Sequence, residues 1–254
     1  MRDPILYGDY RNCLQPNEPR LYEDIQDYDA SKGLISEIMD DYNEKQTPMN
    51  LVLFDAALDH LTRIHRVLRV KRGHSLLVGV GGSGKQSLSK LASYAAGCEV
   101  FEISLSRGYD ETNFREDLKI LYNKLGIENG GQRISFLFTD SHVAEEGFLE
   151  LINNMLTTGA VPALFADDEK DGIINNMRDE SQKAGYAPGK EAIWSYFINK
   201  CADNLHIILA MSPTGDTLRV RCRNFPGLVN NTVIDWFEGW PIQALVAVAS
   251  SLGS

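Results

Sequence analysis

Between Ser75 and Ser87 the chain passes from an apolar run into Gly79, Val80, Gly81, Gly82, Ser83 and Gly84, then Lys85, Gln86 and Ser87. An apolar strand, a glycine turn and a helix start, in that order, read as a phosphate-binding loop. Glycines let successive backbone N–H groups turn inward, the following helix offers the positive end of its dipole, and the Lys85 ammonium can reach β- and γ-phosphates. The pattern Gly-x4-Gly-Lys is met at Gly79, Gly84 and Lys85, but the next position, where a Ser or Thr hydroxyl ordinarily holds Mg²⁺, is Gln86. Ser87 is one residue out of register. Mg²⁺ is therefore expected to be held weakly, through the Gln86 amide oxygen, or not at all.

The same residues also spell Gly79-x-Gly81-x-x-Gly84, a dinucleotide fingerprint. That version needs an acid at the end of the second strand. Glu102 has nearly the right spacing but falls inside the strand expected from Val100 to Leu105, and a dinucleotide site has no use for Lys85. The P-loop is preferred, with a Rossmann dinucleotide binder as the distant alternative.

A third apolar run, Ile134 to Phe138, continues into Thr139, Asp140 and Ser141. P-loop ATPases place an Asp here, often followed by Glu: the first orients Mg²⁺ and the second polarises the attacking water. Only one carboxylate is present. If Asp140 is the Mg²⁺ partner, Ser141 replaces the base; if Asp140 is the base, Thr139 replaces the metal partner. Either register implies impaired hydrolysis. Ser212, after the fourth run, sits where a polar side chain can touch the γ-phosphate or the lytic water. Arg219, Arg221 and Arg223 then alternate, and an arginine finger set against a neighbour's γ-phosphate is worth about 10³ to 10⁵ in rate. The histidines form no metal-binding pattern, and Gly147 belongs to no Gly-x-Ser-x-Gly elbow.

These residues need a scaffold. Apolar runs at 75–80, 100–105, 134–138, 205–211 and 232–237 alternate with amphipathic helices, the pattern of parallel strands joined by crossovers. Phe114, Leu118, Leu121, Tyr122 and Leu125 make one crossover face, and Phe148, Leu151, Ile152 and Met155 another. Ahead of them Leu51, Phe54, Leu58, Leu61, Ile64 (or His65) and Leu68 form a helical stripe that Gly73 ends. Residues 1–47 are expected to be an arm on the core, 48–239 the α/β unit with a polar insertion at about 166–204, and 240–254 the start of a further helix.

Composition sets the outer bounds. The 254 residues carry 25 Lys and Arg against 35 Asp and Glu, a formal net charge of −10, which argues against nucleic acid bound through a generally basic surface. No apolar stretch approaches the roughly 20 residues of a bilayer span, and the first residues lack a signal peptide's apolar region, so an intracellular chain is expected. Cys13, Cys98, Cys201 and Cys222 are far apart and read as reduced thiols.

Gly79 to Leu88, Phe138 to Asp140, Asn153 to Leu156, Val161 to Phe165, Asn224 to Leu228, Ile234 to Phe237 and Trp240-Pro241 together resemble the fourth AAA+ module of dynein heavy chains. Arg2 to Tyr10 and Tyr22 to Asp24 resemble the axonemal branch. The likeness covers nearly the whole chain. It implies an AAA+ large subdomain with a five-stranded parallel sheet flanked by helices, one of six modules in a ring, with only the first helix of the small lid, from Pro241. By position Lys85 would bind phosphates, Asp140 would take the glutamate position, Thr139 the metal-aspartate position and Ser212 the sensor-asparagine position, all three departures weakening catalysis. Arg221 or Arg223 would face the preceding module, and Leu51 and Val52 would frame adenine. ADP or ATP, with Mg²⁺ in question, is the implied ligand. The implied partners are neighbouring modules and, only through a stalk outside this chain, microtubules. The implied location is the cytoskeleton of a cilium or flagellum. An active ATPase module and a nucleotide-free ring spacer are the alternatives.

Overall fold

The computed structural model describes residues 6–25 and 27–237. The helix expected from Pro241 lies outside them. The chain begins with a two-stranded antiparallel ribbon, β1 (Tyr7–Gly8) and β2 (Glu23–Asp24), followed by α1 (Tyr28–Lys45). The Asp27 carboxylate caps α1 by accepting from the Ala30 N–H at 2.8 Å, satisfying one of the donors a helix start leaves open.

Next comes α2 (Asp55–Leu68), which buries Leu58, Leu61, Ile64, His65 and Leu68. The expected stripe began at Leu51. In the structure residues 51–54 precede the helix, and Phe54 is extended. The Asn43 side chain clamps both the N–H and the carbonyl of Met49, so the chain is held against the end of α1 as it leaves that helix.

The α/β unit follows as β3 (Ser75–Val78), α3 (Lys85–Ala96), β4 (Glu99–Phe101), α4 (Glu111–Gly126), β5 (Ile134–Thr139), α5 (Gly147–Thr158), α6 (Asp167–Lys183), α7 (Lys190–Asn204), β6 (Leu205–Met211), α8 (Thr217–Asn224), α9 (Gly227–Asn230) and β7 (Val233–Trp236). The five longer-range strands form one parallel sheet in the order β4-β5-β6-β3-β7. All five expected strands are present. The fourth has the expected bounds, whereas the first stops at Val78 because Gly79 opens the turn, and the second and fifth are shorter than expected.

Side chains alternate across the sheet. Leu77, Leu137, Ile208 and Ala210 pack beneath α1, α2 and α3, and Leu76, Val78, Phe136, Phe138, Ile207 and Leu209 pack beneath α4, α5 and α7. Burial on both faces explains why these strands read as continuous apolar runs. Leu6, Tyr10, Ile25, Ile35 and Ile38 join the first of these layers.

The polar run at 167–171 is the first turn of α6, where three acids suit the positive helix end, and the break at 187–189 separates it from α7. Ile174, Met177, Ile193, Phe197 and Cys201 enter the second layer, so this stretch is a helical pair built into the core.

Strand order also bears on the ligand class. A Rossmann sheet places its second strand beside its first. Glu102 lies just beyond the end of β4, where such an acid is needed and not inside the strand as expected, but β4 is three strands away from β3 and so not beside it. The distant dinucleotide alternative is thereby excluded. Asp140 likewise follows a strand that is next but one to β3, because β6 lies between them.

Candidate phosphate-binding site

The central strand β3 delivers residues 79–84 to the carboxyl-terminal edge of the sheet, where α3 begins. Gly82 (φ 77°) and Gly84 (φ 83°) adopt the left-handed conformation that the turn into α3 requires, and open space surrounds Gly81 and Gly82. Gly79 is glycine for a different reason. A Cβ there would lie 2.6 Å from Phe237 Cβ and 3.0 Å from Ser83 Oγ.

Lys85 curls back over the loop. Its ammonium donates to the carbonyl of Gly79, to that of Val80 at 2.9 Å and to Ser83 Oγ at 3.1 Å. Partial burial lowers its pKa from the usual lysine value, and the nearby Asp140 charge opposes that shift. Gln86 is exposed and Ser87 half-buried. Leu51 reaches the same turn: its Cδ1 lies 3.9 Å from where a Cβ on Gly84 would sit. Val52 is half-buried beside it in sequence.

Asp140 sits at the end of β5 and binds across two further elements. Oδ2 accepts from the Ser212 N–H at 2.7 Å, tying the ends of β5 and β6 together, and Oδ1 accepts from Arg221 Nη1 at 2.7 Å. Arg221 also donates to Glu146 from Nη2 at 2.9 Å and from Nε at 3.2 Å. Its side chain is 10% exposed. The arginines do not form a stripe, because alternate positions on α8 point in different directions: Arg221 turns inward while Arg219 and Arg223 are exposed. Of the two arginines expected to face a neighbour, Arg221 is turned inward onto Asp140 and Glu146, and Arg223 is on the surface.

Thr139 and Ser212 are occupied locally. Thr139 Oγ1 lies 2.7 Å from Ser141 Oγ and 3.2 Å from His142 Nδ1, and the Thr139 N–H donates to that same Nδ1 at 3.0 Å. Burial lowers the His142 pKa, consistent with a neutral ring that accepts. Ser212 Oγ donates to Thr214 Oγ1 at 3.0 Å and accepts from the Thr214 N–H at 3.3 Å, so its backbone rather than its hydroxyl meets Asp140.

Glu146 escaped the sequence reading, since nothing local marks it out. So did a second cluster behind the loop, where His60 Nδ1 lies 2.9 Å from Asp235 and the imidazole stacks on Phe237 at 3.8 Å between centroids. Phe237 is the ring that backs Gly79.

The cradle fits an anionic phosphate chain. Its glycines leave room, a twelve-residue helix begins at Lys85, and that lysine stands at the mouth. Sheet order and loop together define a P-loop nucleoside triphosphatase domain of the AAA+ class. The family profile described as "P-loop containing dynein motor region D4" matches residues 49–252, and the chain belongs to that family. It is 67% identical over 251 residues to "Dynein axonemal heavy chain 10" of Homo sapiens, covering 99% of this chain and 6% of that protein. It is 61% identical over 257 residues to "Dynein-1-alpha heavy chain, flagellar inner arm I1 complex" of Chlamydomonas reinhardtii, covering 98% of this chain and again 6% of the relative. The chain thus spans a small part of the length of these relatives.

Proposed function

We propose that this chain is the fourth AAA+ module of an axonemal dynein heavy chain, a regulatory nucleotide-binding unit that holds ADP or ATP and hydrolyses it slowly or not at all. The observation that carries this reading is the contrast between the two halves of the site. The phosphate cradle from Gly79 to Ser87 keeps its glycines, its lysine and its helix. Of the residues expected on the catalytic side, Thr139, Asp140 and Ser212, only Asp140 is a carboxylate, and it is bound by Arg221 and by the Ser212 N–H. These two contacts take one acceptor position on each oxygen and hold the carboxylate toward β6 and α8. Each missing transition-state contact costs about 10² or more in rate, so affinity and turnover separate.

In this reading Leu51 and Val52 flank the base, Lys85 and the loop amides hold the phosphates, and exposed Arg223 reaches toward the preceding module. Neighbouring modules of the same heavy chain are the direct partners, microtubules are engaged only through the stalk, and the location is the ciliary or flagellar axoneme. The names of the relatives support the last point. Steady phosphate release is the test of the catalytic half. Turnover attributable to this site below ~1 per second is expected, and faster release, abolished by Asp140→Asn, would favour an active ATPase instead.

A nucleotide-free spacer has one observation in its favour: the Lys85 ammonium is engaged by two carbonyls and the Ser83 hydroxyl of its own loop. The two readings differ in thermal shift. A ligand at 100 times its dissociation constant adds roughly 2.7 kcal/mol to stability, whereas a spacer melts at the same temperature with and without ADP.

A further inference from the structure

P-loop ATPases take nucleotide together with Mg²⁺, held by the hydroxyl after the P-loop lysine and by an Asp at the end of the third strand. The residues here do not fit that ion. The first position is Gln86, an exposed amide. At the second, Thr139 Oγ1 is bound to Ser141 and His142. The remaining carboxylate, Asp140, accepts from Arg221 at one oxygen and from the Ser212 N–H at the other, both at 2.7 Å. Among the described residues no three His, Cys, Asp or Glu side chains are grouped to hold a cation.

Arg221 is the decisive group. Its guanidinium is buried, is fastened on its far side by Glu146, and also contacts Met211 Sδ at 3.9 Å. It is anchored by these contacts in the folded module. A dication brought to Asp140 would meet a fixed positive charge at that same carboxylate, and like charges held this close repel. The guanidinium already supplies there the positive charge that a metal would bring, and a guanidinium does not deprotonate near neutral pH.

We propose that this site binds its adenine nucleotide as the metal-free anion, with Arg221 standing in place of the divalent cation at Asp140. The inference rests on the nucleotide-binding reading above and adds the form of the ligand to it. Lys85, the loop amides and the α3 dipole carry the phosphate charge. A nucleotide bound this way would have no divalent cation to offset the charge that develops on its phosphates, which deepens the loss of turnover.

The test is a calorimetric titration of the purified chain with ADP, run in millimolar Mg²⁺ and again in excess EDTA. Each run is paired with Lys85→Ala, so that only heat lost in the variant is assigned to this site. Because Mg²⁺ withdraws free ADP from a site that takes the metal-free anion, the Lys85-dependent binding is expected to be as tight or tighter in EDTA, to within about threefold. A constant more than that amount weaker in EDTA would overturn the inference while leaving nucleotide binding standing. No Lys85-dependent heat in either buffer would overturn both. The double variant Gln86→Ser with Arg221→Gln, shown by its melting temperature to be folded, is expected to bind ADP at least about tenfold more tightly in Mg²⁺ than in EDTA. Continued indifference to the metal in that variant would overturn the role given to Arg221.

Discussion

Arg221 and Asp140, on α8 and at the end of β5, are joined by a 2.7 Å ion pair in which the arginine is buried and the carboxylate half-exposed. Because Arg221 also holds Glu146, one guanidinium fixes the end of β5, the start of α5 and α8 against each other. Removing it leaves two carboxylates facing each other without a cation. Arg221→Ala is therefore expected to lower stability by about 1–3 kcal/mol, the partial exposure of both acids keeping the loss below that of a fully buried pair. Chemical denaturation reads this directly, and a loss below about 0.5 kcal/mol would mean the pair is a surface contact only.

Gly79 and Gly81 lie two positions apart in sequence but differ in what a side chain there would meet. Gly79→Ala would drive a Cβ to 2.6 Å from Phe237 Cβ, so overpacking should destabilise the protein by about 1–3 kcal/mol. Gly81→Ala meets nothing within 4 Å and does not have a positive φ, so its stability should stay within about 0.5 kcal/mol of wild type. Melting temperatures of the two variants check the contrast; equal effects would contradict the packing described behind the loop.

A buried hydroxyl helps to fasten residues 6–25 to the core. Tyr10 Oη lies 3.0 Å from Ser31 Oγ and 3.2 Å from Thr62 Oγ1, joining the ribbon to α1 and α2. Tyr10→Phe removes the shared partner of two buried hydroxyls and should cost about 1–2 kcal/mol. Limited proteolysis of the arm should accelerate in parallel, and unchanged protection would contradict this linkage.

Acid should loosen the sheet through His74 and His206. Burial depresses both from 6.5 to about 4, and His74 Nδ1 accepts from the Ile207 N–H at 2.9 Å, which requires a neutral ring. The unfolded chain therefore binds more protons than the folded one in this window. Stability is full above pH about 6.5 and falls as the pH drops toward 4, by about 2–3 kcal/mol for His74 alone. His74→Asn keeps an acceptor and removes the titration, so its stability should depend less steeply on pH between 6.5 and 4. Parallel slopes for the two proteins would contradict the assignment.

Local patterns were legible in the sequence and distant pairings were not. The loop could be read because every determinant, from Gly79 to Lys85, lies within one turn, and β6 could be bounded because its apolar run is buried on both faces from Leu205 to Met211. The helix start at Asp55 is not legible because Leu51 and Phe54 continue the apolar spacing, while the Asn43 side chain that holds Met49 ahead of them lies in another element. The Arg221–Asp140–Glu146 contact depends on where β5, α5 and α8 come together, which strand order decides and periodicity does not. Alternating arginines look equivalent in a linear reading; only the packing of α8 makes one of them internal.

Binding of a fluorescent ADP to wild-type protein and to Lys85→Ala bears most directly on nucleotide capture by the loop from Gly79 to Ser87. Saturable binding by the wild type, weakened at least about tenfold in the variant, is expected. Equal affinity in the two proteins, or no binding by either, would contradict a phosphate cradle at Lys85.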